Sequence, residues 1–176
     1  MPTAKARTVK KKTGVLTGPA KKGPAAASTV NLYTLEVFLA GGPIPEKYQD
    51  TEISRTIEML GTHTLDDLHE IIFDSFGREE EHLWEFQIGG KSASDRKNKR
   101  YGPLELEDER AADAAETTLD SLELEVDQAF GYIFDFGDGW AHQINVVRIE
   151  ATTKKLARPR VVKKVGKAPP QYPDEE

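Results

Sequence analysis

The chain alternates between hydrophobic and polar residues in several short stretches, and each stretch predicts a β-strand. Residues 32–39 are rich in β-branched and aromatic side chains and end at a Gly-Gly-Pro loop. Residues 53–59 alternate with a period of two, and residues 82–88 do the same before a Gly-Gly pair. A period of two puts successive side chains on opposite faces of a sheet. One face of each strand is therefore predicted to be buried.

Two further alternating stretches, residues 132–136 and 140–146, flank a Gly-Asp-Gly sequence. Strands joined by a short loop that contains glycine predict a β-hairpin. Phe136 is expected to continue the buried face of the first strand. We expect Gly137 and Gly139 to adopt positive φ angles, which glycine tolerates because it lacks a Cβ atom.

A helical pattern begins after Thr64. Thr64 followed three residues later by Asp67 resembles a capping box, which satisfies backbone N–H groups at the start of a helix. Gly77 follows the last apolar residue and is expected to end the helix in a left-handed conformation. His69 lies at the border of the apolar stripe. The stripe recurs with helical spacing and consists of Leu65, Leu68, Ile72 and Phe76.

The order of these elements predicts an α+β domain in which one main helix packs on a face of a mixed β-sheet. We expect a β-grasp-like strand order, with residues 160–165 adding an edge strand. Residues 1–30 consist largely of Lys, Ala, Gly, Pro and Thr and predict a disordered basic tail. Residues 31–172 are predicted to form the single domain, and residues 173–176 an acidic end.

Charge is unevenly distributed along the chain. Residues 1–30 hold seven basic residues and no acidic one, whereas residues 31–150 hold ten basic and 27 acidic residues. Residues 151–176 hold seven basic and three acidic residues. An acidic body repels polyanions, whereas its basic ends attract them. The chain has no cysteine, which excludes disulfides, thiolate metal sites and a cysteine nucleophile. With no apolar run long enough to cross a bilayer, we predict a cytoplasmic protein without membrane contact.

Five segments of the chain form a recognisable combination: ISRTI at 53–57, TLDDLH at 64–69, HLWEF at 82–86 with Gly89, YG at 101–102, and FDFGDGWAH at 134–142. Together they resemble the plasmid pRiA4b Orf-3-like family, from about residue 33 to residue 170. The last segment is the most specific. The chain departs from the family pattern at Arg78, where a Trp commonly follows the glycine. It departs again after Pro170, where Gln171 and Tyr172 replace an acidic pair.

The resemblance implies an α+β domain of bacterial proteins, some of which are carried by plasmids or transposon-like elements. The family has no settled biochemical activity, so the resemblance supplies no catalytic residue. Its association with mobile elements slightly favours a role connected with nucleic acid.

Three histidines are candidates for a ligand or metal site. His69, His82 and His142 are each predicted on the core-facing side of their element, and Asp138 precedes the third. Three imidazoles with a carboxylate could bind zinc or another divalent metal. The chain lacks a His-Glu-x-x-His motif or any other tight ligand spacing. The alternative is that these histidines only form hydrogen bonds within the core and that no cofactor is bound.

Aromatic and acidic residues near the histidines complete the set of pocket candidates. Trp84 and Trp140 are predicted either as core residues or as lids of a ligand cleft. The catalytic residues stay unknown, because the chain has neither a Gly-x-Ser-x-Gly elbow nor a phosphate-binding glycine loop. The candidates are His69, His82, Trp84, Tyr101, Asp135, Asp138, Trp140 and His142.

Three functions follow from these patterns. The leading one is a non-enzymatic binding or interaction module for an unknown protein or small ligand. The second is a metal-dependent enzyme that uses the histidine cluster. The third is an accessory nucleic-acid-binding protein, with weak and non-specific binding through the basic tail. The tail candidates are Lys10, Lys11, Lys12, Lys21 and Lys22.

Overall fold

The computed structural model describes residues 27–173. The predictions for the tail lysines, for the rest of residues 1–26 and for residues 174–176 lie outside the described residues. Within them, no helix is both long and apolar enough to span a membrane. The elements in chain order are β1 (Val30–Gly41), α1 (Glu46–Gln49), β2 (Ser54–Leu60), α2 (Leu65–Ser75), β3 (Trp84–Ile88), β4 (Lys99–Gly102), β5 (Ala112–Asp113), β6 (Ala129–Phe134), β7 (Trp140–Thr152) and β8 (Arg160–Val165), with short 3-10 turns at Leu104–Leu106 and Asp120–Leu122.

All eight strands form one mixed sheet in the order β5-β4-β3-β6-β7-β1-β2-β8. Neighbouring strands are antiparallel, except that β4 and β5 are parallel. The predicted α+β class, with a mixed sheet and one main helix, is confirmed. As in a β-grasp sheet, β1 lies in the interior between β2 and a late strand. The pair β1 and β7 is antiparallel, however, whereas a β-grasp sheet pairs its central strands in parallel.

Helix α2 packs across one face of the sheet. The Thr64 hydroxyl accepts a hydrogen bond from Asp67 N, and the Asp67 carboxylate accepts one from Thr64 N, so the predicted capping box is present. The hydrophobic core lies between the helix and the sheet, and burial of each of its large apolar side chains contributes about 1.5–3 kcal/mol to stability. The large side chains of this core include Leu65, Leu68, Ile72, Phe76, Trp84, Phe86, Phe130, Tyr132, Phe134, Trp140 and Ile144.

The C-terminal end of α2 determines where Arg78 lies. Gly77 has a φ of 67°; its N–H donates to Asp74 O, and Arg78 N–H donates to Phe73 O. These bonds form a Schellman motif and confirm the predicted end of the helix. The position after the glycine often carries a hydrophobic residue that packs back on the helix. Here it carries an arginine, and that arginine is buried.

The turn between β6 and β7 differs from the expectation. Phe136 lies in the turn beyond β6 and is 45% exposed, so its predicted burial is wrong. Asp135 has a φ of 58° and Gly139 a φ of 67°, whereas Gly137 does not have a positive φ. The Asp135 carboxylate accepts hydrogen bonds from the N–H groups of Gly137 and Asp138. These bonds stabilise the left-handed conformation at Asp135, which replaces the one predicted at Gly137.

Candidate functional site

His69 lies on α2 with its ring in the core. Its Nδ1 is 2.8 Å from the Tyr132 hydroxyl, and its ring stacks on Trp84 at a centroid distance of 4.1 Å. Its Nε2 is 3.5 Å from a carboxylate oxygen of Glu81. Burial lowers the pKa of His69 to about 4, so the imidazole is neutral at pH 7. Because a carboxylate can only accept, we assign the proton to Nε2, which faces Glu81, so that Nδ1 accepts a hydrogen bond from the Tyr132 hydroxyl.

His142 lies on β7 and is also buried. Its Nδ1 is 3.1 Å from the backbone oxygen of Trp140, which can only accept, so Nδ1 carries the ring proton. Burial and, secondly, the positive charge of Arg78 lower the pKa of His142 to about 3. Nε2 thus bears a lone pair, and no residue in the described chain donates a hydrogen bond to it.

His82 lies in the loop before β3 and is exposed. Its Nε2 is 2.8 Å from the Tyr172 hydroxyl and 3.6 Å from a carboxylate oxygen of Asp135. The prediction that His82 shares the buried face of a strand is wrong, because β3 begins at Trp84. The contacts with Tyr172 and Asp135 hold the imidazole at the surface.

The three histidines do not converge. The Tyr132 ring lies 6.1 Å from the His69 ring and 5.3 Å from the His142 ring. The Phe134 ring lies 6.4 Å from the His69 ring and 6.0 Å from the His82 ring. No group of three or more His, Cys, Asp or Glu residues within residues 27–173 is arranged to hold a metal ion. The zinc site suggested by the sequence is not formed by these histidines, because aromatic rings lie between the imidazoles.

The other pocket candidates are distributed over the domain. Trp84 and Trp140 are both core residues. Tyr101 lies half-buried on β4 and packs against the edge of the core. The Asp135 carboxylate caps the β6–β7 turn. Asp138 is exposed in that turn, and its charge interacts with that of a buried arginine.

That arginine is Arg78, whose side chain lies in the core with 6% of the residue exposed. Its guanidinium lies over the Trp140 ring, 3.7 Å from the centroid. Among the described residues, Nε, Nη1 and Nη2 of Arg78 have no hydrogen-bond partner. Burial lowers the pKa of Arg78 to about 10, against the opposing effects of Tyr132 and Asp138, so the group is charged at pH 7. Burial of an unpaired charge is costly in free energy.

A second buried arginine, Arg55, has the opposite arrangement. It also lies against an aromatic ring, that of Phe76, at 4.8 Å from the centroid. Its donors, however, are bound by backbone oxygens at distances between 2.7 and 3.2 Å. The comparison shows that this fold can satisfy a buried guanidinium, whereas no described residue does so at Arg78. The acceptors of Arg55 are Ser54 O, Ser75 O, Val165 O and Gly166 O.

We call Arg78, Tyr132, Trp140 and His142 the Arg78 cage. The guanidinium contributes five N–H donors, and the indole N–H of Trp140, the ring on which the guanidinium lies, is buried without an acceptor in the described chain. His142 Nε2 contributes a buried lone pair without a donor there. Such a set of donors around a positive charge is suited to bind a small anion.

The segment after β8 holds the loop that follows Arg78. Gln171 is buried, and its Oε1 accepts hydrogen bonds from Glu79 N and Glu80 N at 2.7 and 3.0 Å. Its Nε2 donates to Glu80 O at 2.9 Å. The Tyr172 hydroxyl donates to the Glu80 carboxylate at 2.9 Å. The Schellman motif and this segment therefore fix the Arg78 backbone from both sides.

Tyr132, His69 and Glu81 lie in a row: Tyr132 and His69 share a hydrogen bond, and Glu81 approaches the other ring nitrogen of His69 at 3.5 Å. Chains of this kind activate nucleophiles when the hydroxyl is reactive and accessible. Here burial raises the pKa of Tyr132 well above its usual value, which opposes formation of a phenolate. The buried Tyr132 hydroxyl is therefore poorly suited to act as a nucleophile.

Reasoning from the sequence missed Arg78, Tyr132 and Gln171 as site residues. Arg78 and Gln171 stood out only as departures from a family pattern. The position of Arg78 could have indicated its burial. It follows directly after the glycine that ends the helix, where a residue that packs back on the helix is expected. Gln171 binds residues 92 and 91 positions earlier, which no local pattern reveals.

Comparisons with known proteins place this fold among its relatives. The family model described as plasmid pRiA4b ORF-3-like protein matches residues 45–172. The crystal structure of the protein of unknown function MM3350 from Methanosarcina mazei Go1 shares 21% identity and a TM-score of 0.63. That similarity covers 82% of this chain and 74% of the other and concerns the fold alone. No curated protein matches the chain. The family match covers more than half of the sequence and confirms the resemblance: the chain belongs to the plasmid pRiA4b ORF-3-like protein family.

Proposed function

We propose that this domain is a non-enzymatic binding module that recognises a small anion, such as a carboxylate, through the Arg78 cage. The observation that carries the proposal is the buried guanidinium of Arg78, whose donors have no acceptor within residues 27–173. A bound anion would supply both the negative charge and the acceptors. We also propose a cytoplasmic location. Because the chain has no cysteine, it forms no disulfide, and this fits a reducing compartment.

The surroundings of the cage favour a small monovalent anion. Asp138 interacts electrostatically with Arg78 at one side. Glu81, whose charge acts on Tyr132 of the cage, belongs with Asp66 and Asp74 to a group of like charges on α2 and the loop after it. These carboxylates repel an approaching polyanion, whereas a single carboxylate can take two parallel hydrogen bonds from the guanidinium.

Sodium formate and sodium acetate are expected to raise the melting temperature of the wild-type protein at constant ionic strength, because a ligand of the folded state stabilises it. Arg78→Met keeps a side chain of similar length but removes the charge and the donors, so this variant should lose the response. Arg110→Met is the matched control, since the Arg110 side chain is 85% exposed. Circular dichroism melting curves with sodium chloride as the reference salt measure the effect. An unchanged wild-type curve, or an equal response of Arg78→Met, contradicts the proposal.

We also propose a second candidate function, contact with nucleic acid, which is supported by the basic segment that begins at the end of β7. Residues 151–172 carry seven basic residues and no acidic one. Lys154 and Lys155 line a groove of about 600 Å³ that also includes Ala27, where the described chain begins. The basic N-terminal sequence therefore joins the domain beside a second basic segment, which supports binding to phosphates.

DNA binding at this surface is expected to weaken steeply with salt and to show no sequence preference, because phosphate contacts release counterions. The double variant Lys154→Gln/Lys155→Gln should bind more weakly and with a smaller salt dependence. Lys97→Gln/Lys99→Gln, located toward the other edge of the sheet, is the matched control. Fluorescence anisotropy of two unrelated labelled oligonucleotides at several sodium chloride concentrations measures both quantities. Sequence-selective binding that salt hardly changes would argue against this function.

A further inference from the structure

We infer that the ligand of the Arg78 cage is a small carboxylate with a hydroxyl group beside the carboxylate carbon or on it, with glycolate and bicarbonate as the smallest members. This inference rests on the proposed function and specifies its ligand. It follows from which of the unpartnered groups in the cage donate hydrogen bonds and which accept them.

The acceptor side of the cage is His142 Nε2. The ring proton lies on Nδ1, which donates to the Trp140 carbonyl, so Nε2 can only accept. This atom is buried, and no donor in the described part of the chain reaches it. A ligand that brings only acceptor oxygens would leave this lone pair unsatisfied, and a buried unsatisfied acceptor weakens binding.

The donor side consists of Arg78 and the indole N–H of Trp140. Both are buried, and neither has an acceptor among residues 27–173. Trp140 and His142 are two residues apart on the buried face of β7, and the guanidinium lies against the Trp140 ring, so the donor side and the acceptor side are neighbours. One small molecule can therefore satisfy both sides if it carries a carboxylate and an adjacent hydrogen-bond donor.

A hydroxyl group fits this donor better than an ammonium group. An ammonium ion next to the lone pair of His142 would place a second positive charge beside Arg78, and like charges in a buried site repel strongly. Water could satisfy the hydrogen bonds of the cage but would bring no negative charge to Arg78, on which the charge of the exposed Asp138 acts from the turn. A neutral hydroxyl on a carboxylate meets both requirements.

The walls of the cage limit the size of the ligand. The Phe76 ring meets the His142 ring edge-on at 4.9 Å, and the Tyr132 ring lies 5.3 Å from it. The Trp140 ring covers one face of the guanidinium. These aromatic neighbours lie close around the polar groups, which favours carboxylates with few carbon atoms.

Titration of the full-length wild-type protein with sodium glycolate and sodium acetate tests this inference, because the two anions differ only in one hydroxyl group. Isothermal titration calorimetry at pH 7.5 and constant ionic strength should give a dissociation constant at least about tenfold lower for glycolate. Lactate against propionate repeats the comparison with one more carbon, and alanine replaces the hydroxyl by an ammonium group.

His142→Phe provides a second readout, because it removes the lone pair and keeps an aromatic ring. Glycolate and acetate should bind this variant equally. If the variant does not fold, the ligand pairs measured on the wild type decide alone. Equal binding of glycolate and acetate to the wild type, or binding of alanine as tight as that of lactate, overturns this inference and leaves the proposed function intact. Failure of every carboxylate to bind overturns both.

Discussion

Arg78→Met is expected to raise the free energy of unfolding by about 1–3 kcal/mol in buffer without carboxylates. The guanidinium is buried and has no hydrogen-bond partner in the described chain, so the folded state bears the cost of desolvating it. Methionine is flexible, packs well against aromatic rings and needs no hydrogen bonds. Loss of the cation–π contact with Trp140 offsets part of the gain, by about 0.5–2 kcal/mol.

Arg55→Met is the matched control and should change stability in the opposite direction. It removes a donor from four backbone oxygens and is expected to lower the free energy of unfolding by about 3 kcal/mol or more. Urea unfolding followed by circular dichroism measures both variants at pH 7.5. If Arg78→Met destabilises the protein as much as Arg55→Met, then Arg78 has partners of its own in the folded protein and the cage is a structural element.

Acid is expected to unfold this protein through its two buried histidines. Burial lowers the pKa of His69 to about 4 and that of His142 to about 3, from an ordinary value of 6.5. Between these values the unfolded chain binds protons that the folded chain does not, so stability is complete above about pH 6.5 and falls as pH decreases. In this range each histidine lowers the free energy of unfolding by about 1.4 kcal/mol for every pH unit of acidification. Urea unfolding at pH values from 4.5 to 7.5 should show the slope.

His69→Gln tests the origin of this slope and replaces no residue of the cage, although it alters the hydrogen bond to Tyr132. It should lower stability at pH 7.5 and flatten the pH dependence below pH 6.5, because one of the two titrating groups is gone. Phe73→Leu is the matched control: its ring lies 5.9 Å from that of His69, and it does not titrate. Phe73→Leu should lower stability by the same amount at every pH. A His69→Gln variant with the wild-type slope would show that other groups cause the acid sensitivity.

Much of the fold could be predicted because it depends on local patterns. The capping box at Thr64 and the glycine at Gly77 both determine helix ends through contacts within a few residues. The alternation in β6 and β7 reports which side chains face the core. The turn was harder, since the positive φ at Asp135 depends on hydrogen bonds to its own carboxylate.

The site could not be predicted because it depends on strand register and on distant contacts. Periodicity gives the face on which His142 lies but not its neighbours across the sheet. The register pairs Tyr132 with His142, which puts an aromatic ring between two histidines that the sequence suggested as metal ligands. Arg78 was not recognised, because a charged residue is expected at the surface unless it is paired. No local pattern marks this arginine as buried.

Arg78, which has no hydrogen-bond partner among residues 27–173, is proposed to bind an anion. The most direct test measures the free energy of unfolding of the wild type and of Arg78→Met, each with and without glycolate or acetate, whichever binds more tightly. We expect the order of stability to reverse. The variant should be more stable without the anion, and an anion at a hundredfold excess over its dissociation constant should add about 2.7 kcal/mol to the wild type alone. A wild type that is more stable than the variant in both buffers, with no response to the anion, would contradict the account.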